Sequence, residues 1–518
     1  MQGLEGILKS GRRAMGLYDL TVYDIVRKNA LLRKNKVGFI CGSLRMTFGE
    51  YADQVDRLAA GLANRGIVKG DRIAVVSMNC HEFLVLYGAA AKIGAIMLPI
   101  NWRLKPEEMD VILKDCSPKA LVGSSEYLEI LSPLADSNPF IQAKFAIGEG
   151  GKGFEPLSSL KVHEKVGEEA QVHASDPFVI IHTAAVEGRP RGAVLSHGNI
   201  IAANVQSMAV MGIQEEAVHL AVLPLFHIAG LGMAMHAMHA GGINVVMRKF
   251  DAKEAVELIE REKVTHLETF PPMLASILDE AASSGRDITS LKAVGGLDHP
   301  DTMRRCQEAT GAKFFVGFGQ TETTGFCTIC PFDERPGSAG KEGPLAKVKI
   351  VDDYDREVPP GSPGEIVVRG PLVFLGYWNM PRETDYTFRE GWHHTGDIGK
   401  LDEDGYLWYV KRKAEKELIK PGGENVYPAE VEKALLEHPD VLEACVFGVP
   451  DPQWGEAIKA VCTRRSGSSL EPQELIEFVA SRIARYKKPK YVVFVESLPK
   501  TQDGSVDREK VKAQYGQP

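Results

Sequence analysis

Short apolar runs alternate with amphipathic stretches along most of this chain. Arg72–Val76 (RIAVV), Ile96–Pro99 (IMLP) and Phe178–His182 (FVIIH) are brief and rich in β-branched residues, the pattern of buried strands. Between them, Tyr51–Arg65 and His81–Ile93 carry apolar residues at helical spacing. A second cycle offers Ala217–Leu223, Ile243–Met247 and His266–Phe270 as strands. This alternation predicts an α/β fold with largely parallel sheets. Gly361–Gly376 then turns denser in Gly and Pro around EIVVRG, which predicts a smaller β-rich subdomain.

A charged run, Lys411–Lys416 (KRKAEK), follows the strand-like Tyr406–Val410 (YLWYV). After it a new α/β pattern begins: helix Pro428–His438, strand Leu442–Val449, helix Glu471–Arg485 and strand Tyr491–Val495. The expected organisation is a large N-terminal domain, 1–410, of two α/β lobes plus a β subdomain. A small mobile C-terminal α/β domain, 411–518, follows, with the charged run as hinge.

Composition narrows the class. With 44% apolar and 25% charged residues the chain reads as globular. A net charge of −8 argues against nucleic acid as a partner, although one local pocket can still be positive. No apolar run is long enough to span a bilayer. Arg12 and Arg13 precede no apolar stretch of the signal-peptide kind, and Leu4–Leu8 reads as part of a packed N-terminal helix. The eight cysteines include one CxxC pair, Cys327 and Cys330, without the second pair a zinc site needs. They read as reduced thiols of a cytoplasmic protein.

Chemistry concentrates in a few motifs. Thr183–Gly192 is a Gly-containing loop placed after a strand and before the helical Gly198–Met211. That setting can bind phosphate through backbone N–H groups. Gly148, Gly150 and Gly153 match G-x-G-x-x-G, but no helix pattern follows, so a dinucleotide site is not expected there. Further along stand PLFHIAG (Pro224–Gly230), the turn Gly295–Asp298, Phe318-Gly-Gln-Thr-Glu322, Gly391–Asp397 (GWHHTGD) and Lys420-Pro-Gly-Gly-Glu-Asn425.

Together with TAAVEGRPRGAVLSHGN (Thr183–Asn199) and LPKTQDGSVDREK (from Leu498), these motifs resemble the adenylate-forming superfamily, in its acyl-CoA synthetase branch. The resemblance runs from about Tyr18 to Lys512. It implies ATP or AMP, Mg²⁺ and CoA as ligands and a carboxylic acid as substrate. Thr183, Gly188 and Arg191 would face phosphates, while Gly296, Leu297 and Asp298 would cover adenine. Phe318 and Gly319 would stack on it, Thr321 would contact the α-phosphate and Glu322 would ligate Mg²⁺. Asp397 would hold the ribose, with Arg412 beside it and Lys411 as pivot. His227 would lie beside the activated carboxylate. Lys420, Gly422 and Gly423 would admit the pantetheine arm after rotation of the C-terminal domain. His227, Ile228, Gly230, Met233, Gly317 and Gly325 would line a pocket for an apolar acyl group, medium chain or cyclic.

The chain departs from the family pattern at two places. Ala184, Ala185, Val186 and Glu187 replace the hydroxyl-rich half of the phosphate loop. Ser505 replaces the C-terminal Lys that stabilises charge during adenylation, and Lys500, Lys510 and Lys512 stand near it. The favoured reading is an acid–thiol ligase that makes acyl-CoA through an acyl-adenylate. An enzyme confined to the acyl-adenylate and acyl-CoA half-reaction, and a silent AMP- or acyl-CoA-binding protein, are the alternatives. A homodimer is possible, and the acid itself is not legible.

Overall fold

The computed structural model describes residues 19–160, 170–186, 189–412, 418–501 and 505–517, with the backbone alone for 184–186 and 189. Leu4–Leu8, Arg12, Arg13, Glu187, Gly188 and Lys413–Lys416 lie outside the described residues.

Two large mixed sheets form the N-terminal body. One runs in the order Gly325–Pro331, Lys313–Gln320, Ala293–Gly296, His266–Thr269, Val218–Ala221, Ile243–Val246, Val37–Cys41, Leu44–Thr47. The other runs Gly376–Tyr377, Arg189–Ser196, Pro177–Val186, Ile96–Ile100, Arg72–Val76, Ala120–Ser124, Ala143–Ile147, Glu155–Pro156. Interior pairings such as Arg72–Val76 with Ile96–Ile100 and His266–Thr269 with Ala293–Gly296 are parallel, as the alternating pattern predicts. Antiparallel strands close three of the four edges, and Glu155–Pro156 closes the fourth in parallel with Ala143–Ile147.

One apolar core joins strands of both sheets to the helices Phe48–Asn64, His81–Ile93 and Ile228–Ala240. His81–Ile93 and Ile228–Ala240 are buried almost all round, which explains their weak amphipathic signal. Phe48–Asn64 starts on a capping box. The Glu50 N–H donates to the Thr47 hydroxyl at 3.2 Å, and the Thr47 N–H donates to the Glu50 carboxylate at 2.8 Å. No described helix is long and apolar enough to cross a membrane.

The Gly/Pro-rich region forms the expected β subdomain, an antiparallel sheet of Lys347–Val351, Gly364–Arg369, Trp392–Leu401 and Phe388–Arg389, with Leu407–Arg412 paired to Trp392–Leu401. Lys411 and Arg412 pair with Ile398 and Asp397. Strand pairing thus includes Lys411 and Arg412, the first two residues of the charged run.

The C-terminal part has its own core around Ile419, Val431, Leu435, Val446, Ala460 and Val479. Its helices Pro428–Leu436 and Pro472–Arg482 pack on a sheet of Val441–Asp451, Gly455–Arg464 and Tyr491–Val495. It docks through buried charge. The Lys487 ammonium reaches Glu108 of the N-terminal body at 2.5 Å and also Glu430, and the Ala484 N–H donates to Glu108 at 3.1 Å.

One expectation is corrected here. Thr183–Gly192 is not a loop between a strand and a helix. Pro177–Val186 and Arg189–Ser196 form an antiparallel hairpin, and the helix His197–Met211 begins only after it. The helix N-terminus is thus separated from the Gly-containing tip by a strand. Its dipole is not aimed there, and any phosphate contacts must come from the hairpin itself.

Candidate active site

The strands of the first sheet end at a cavity of about 1030 Å³ that continues between the two parts of the chain. Strand Lys313–Gln320 carries Phe318 and Gly319 to its wall, and the turn that follows adds Thr321 and Glu322. Close packing explains the glycines in this strand. A Cβ on Gly319 would lie 2.0 Å from the Gly325 carbonyl oxygen, and one on Gly317 would lie 2.3 Å from that of Thr328. The Phe318 ring faces Tyr409, with centroids 6.3 Å apart and planes within 28°.

Asp397 is fully buried. The Arg412 Nε lies 2.9 Å from Oδ1, while the Gln320 amide donates to Oδ2 at 2.5 Å and the Tyr409 hydroxyl to Oδ1 at 3.3 Å. This constellation is charge-paired and hydrogen-bonded before any ligand arrives. Glu322, also buried, accepts from the Tyr377 hydroxyl at 2.8 Å. Among the described residues it forms no ion pair. A buried carboxylate with spare lone pairs is a fit donor for a hard cation that takes its other ligands from phosphate and water. The Arg191 guanidinium sits over the Tyr377 ring at 4.6 Å, and Thr183 lines the same region, its hydroxyl donating to the Arg191 carbonyl at 3.4 Å.

His227 caps the helix Ile228–Ala240, its Nδ1 accepting from the Ala229 N–H at 3.3 Å. That bond leaves the proton on Nε2 in the neutral ring. Burial, followed by the opposing pull of Glu424 and the push of Arg103 and Lys420, leaves its pKa below the ordinary histidine value. The imidazole is thus a neutral donor at the cavity wall.

The loop Lys420–Asn425 enters the cavity from the C-terminal part. Gly422 and Gly423 have φ of 58° and 83°, a region that favours glycine. A Cβ on Gly423 would lie 2.9 Å from the Phe270 ring. The Gly422 N–H donates to the Trp454 carbonyl at 3.0 Å, the Lys420 N–H donates to Glu456 at 2.7 Å, and Glu424 is ion-paired with Arg103. Burial, then the Arg412 charge, holds the Lys420 ammonium below its ordinary pKa, against the pull of Asp397, Glu456 and Glu322. Lys420 therefore sits within electrostatic reach of the Glu322 and Asp397 carboxylates.

The cavity gathers Thr183, Arg191, His227, Ile228, Met233, Gly296, Leu297, Gly317, Phe318, Gly319, Thr321, Glu322, Gly325, Lys411, Arg412, Lys420 and Gly423 from distant stretches of sequence. Gly188 lies outside the described residues. Three expectations are corrected. Gly230 is not at the cavity wall but packs on the Pro224 carbonyl, where a Cβ would come within 2.2 Å. Asp298 does not line the cavity, and one of its carboxylate oxygens accepts the His299 N–H at 2.8 Å. Gly422 stands behind Gly423 against Trp454 and Pro271.

Ser505 is exposed and bonded to the Thr501 hydroxyl at 2.7 Å, while Thr501 and Val506 reach the cavity rim. Of the nearby lysines, Lys500 is paired with Glu443 and Lys510 with Asp507, and Lys512 lines the cavity.

Sequence reasoning missed Tyr377, Gln320, Tyr409, Glu268 and His236. Gln320 lies inside the FGQTE motif, which assigns it no role of its own. Tyr409 belongs to the strand-like run Tyr406–Val410, whose pattern carries no chemistry. Glu268, a lone acid in the apolar stretch His266–Phe270, was the one legible signal left unused.

Comparison with known proteins follows this geometry. The model of the AMP-binding enzyme family matches residues 26–378, and that of the AMP-binding enzyme C-terminal domain matches 430–505. The chain is 33% identical to an indoleacetate–CoA ligase of Aromatoleum aromaticum over 498 residues, covering 94% of this chain and 96% of that one. It is also 33% identical to a feruloyl-CoA synthase of Amycolatopsis, covering 92% and 95%. A solved structure of Bacillus subtilis o-succinylbenzoate CoA synthetase, a double mutant bound to a product analogue, superposes with a TM-score of 0.85 at 28% identity, over 96% of this chain and 100% of that one.

Proposed function

The chain belongs to the AMP-binding enzyme family, and from that premise we propose that it is an AMP-forming acid–CoA ligase acting on an aryl or similarly compact acyl group. Carboxylic acid, ATP and CoA become acyl-CoA, AMP and pyrophosphate. In the first half a carboxylate oxygen attacks the α-phosphorus and the bond to pyrophosphate breaks. In the second the CoA thiolate attacks the acyl carbon and AMP leaves with the bonding electrons.

The observation that carries this reading is that Lys420, Gly423 and Asn425 line the same cavity as Phe318, Glu322 and Arg412, the ion-pair partner of Asp397. It supports an arrangement suited to the second half. The paired Asp397 and Arg412 would receive the ribose hydroxyls, and Phe318 and Tyr409 the adenine. Glu322 would hold Mg²⁺, whose contribution when bound is to neutralise phosphate charge. The neutral His227 Nε2–H would donate to the acyl oxygen as negative charge develops there. Arg191 and Thr183 would hold phosphate oxygens. Gly423 lets the loop pack directly on Phe270 at the cavity wall, where a side chain would collide, and the thiol arm would enter beside this loop. The two working units would divide after Arg412, which is still paired in the N-terminal sheet.

Ser505 supplies a hydroxyl where charge is needed, so adenylation is the slower half in this reading. The test has two parts. MgATP and AMP, added separately without acid, should each raise the melting temperature, since a ligand that binds only the native state stabilises it. Stabilisation by AMP alone would remove the ligase reading. Ser505→Lys should raise acid-dependent pyrophosphate release about tenfold or more and leave the reaction of preformed acyl-adenylate with CoA unchanged.

A further inference from the structure

Two polar side chains in the cavity stand apart from the constellation above. Glu268 is 6% exposed and His236 is 7% exposed, and both line the cavity. Neither ring nitrogen of His236 has a hydrogen-bond partner among the described residues. No described group hydrogen-bonds the Glu268 carboxyl, and burial is the one influence on its titration. Neighbouring buried histidines differ. His219 meets the Asn244 amide at 2.9 Å, and His266 meets the Thr265 hydroxyl at 2.7 Å. Buried polar groups are normally partnered, and two orphans facing one cavity ask for a partner that enters through it.

We propose that Glu268 and His236 form a polar subsite at the blind end of the acyl pocket, selecting acids whose acyl group carries an uncharged N–H or O–H group remote from the carboxylate. The inference rests on the reading that this cavity receives the acid. Backbone geometry keeps both groups uncovered. Gly295 is the register partner of Glu268, and a Cβ there would come within 3.1 Å of the Met211 methyl and 3.8 Å of the Glu268 Cγ. Gly232 precedes His236 by one helical turn on the same face, and a Cβ there would lie 3.7 Å from His236 Nε2. His236 lies nine residues beyond His227 on the helix it caps, which at 1.5 Å per residue places the subsite roughly 13 Å along the axis from the cap.

The surrounding wall is apolar, with Met211, Met233 and Phe326. An acyl group held there keeps its polar end for Glu268 and His236. Burial pushes the Glu268 carboxyl up to about 8 and holds the His236 imidazole down to about 3. Near neutral pH both are mainly uncharged, and each can donate and accept. A phenol or an indole-type N–H is matched by such a pair, whereas a carboxylate or an alkyl terminus is not.

The experiment uses acids matched in size and differing in one group: 4-hydroxycinnamate against 4-methylcinnamate, and indole-3-acetate against 1-benzothiophene-3-acetate. The full chain should favour the O–H or N–H member of at least one pair by tenfold or more in kcat/KM for thioester formation, because the analogue leaves buried groups unpaired. Glu268→Gln should keep the preference. Glu268→Leu and His236→Leu should each reduce it to within about threefold of parity. Equal or reversed preference in the natural sequence overturns the proposal, as does a preference that survives both Leu variants. Failure of every acid to turn over would overturn the ligase reading alone. The melting temperature raised by each acid would then decide the subsite, with the O–H or N–H member expected to stabilise more and the opposite order overturning it.

Discussion

The two ends of the cavity treat buried charge in opposite ways. At the proposed nucleotide end, Asp397 already has Arg412, Gln320 and Tyr409, and Glu322 has Tyr377. At the proposed acyl end, Glu268 and His236 have no hydrogen-bond partner among the described residues. A charge held in the folded protein must be paired internally, because an isolated ion loses its hydration on burial. A group left unpaired keeps its charge off instead, which is what the shifts at Glu268 and His236 record. The first end is preorganised for one constant ligand, while the second reserves its hydrogen bonds for whatever fits.

The strongest break of the comparison is at Asp397. Asp397→Ala leaves the Arg412 guanidinium buried without its counter-charge. We expect a stability loss of about 3–5 kcal/mol by chemical denaturation, as for other broken buried pairs. Pyrophosphate release should fall by about a thousandfold. A loss under 1 kcal/mol would mean that the pair is not the preorganised element described.

Glu268 should behave in the opposite sense. Its folded pKa, about 8, lies above the ordinary carboxylate value of 4.5. Between those values the native state binds more protons than the unfolded state. The stability of the protein therefore falls as pH rises through this window and levels off above it. Glu268→Gln removes that slope. The variant should match the natural protein near pH 4.5 and exceed it by about 3 kcal/mol at pH 7. Parallel stability–pH curves would show that Glu268 carries a hidden partner.

A smaller effect sharpens the seam between the two ends. Gly423→Val puts a branched side chain at φ 83° against Phe270. We expect about a hundredfold loss in the reaction of acyl-adenylate with CoA and no change in ATP–pyrophosphate exchange, since in the proposed mechanism the thiol arm alone would enter beside this glycine. Equal losses in both would place Gly423 in the architecture shared by the two halves.

Much of this was legible beforehand. Strand–helix alternation predicted both parallel sheets, and the element bounds from Arg72–Val76 to Tyr491–Val495 agree to within a few residues. The motifs around Phe318, Glu322, Asp397 and Lys420 predicted the cavity wall because their chemistry is carried within a few consecutive positions. Gly230 misled for a local reason: it shares a motif with His227, but the helix turns it onto Pro224. The hairpin at Thr183–Gly192 misled because a Gly-rich turn looks alike whether a strand or a helix follows.

The sequence by itself determined the fold class, the family and the motifs that supply much of the cavity wall, since periodicity and contiguous motifs are local properties. Only the tertiary structure decided which polar groups lack partners. Glu268 and His236 stand on a strand and a helix 32 positions apart in the chain, read as 236 and 268. That both line one cavity, and that no described group hydrogen-bonds either, depends on how the sheet and the buried helix pack.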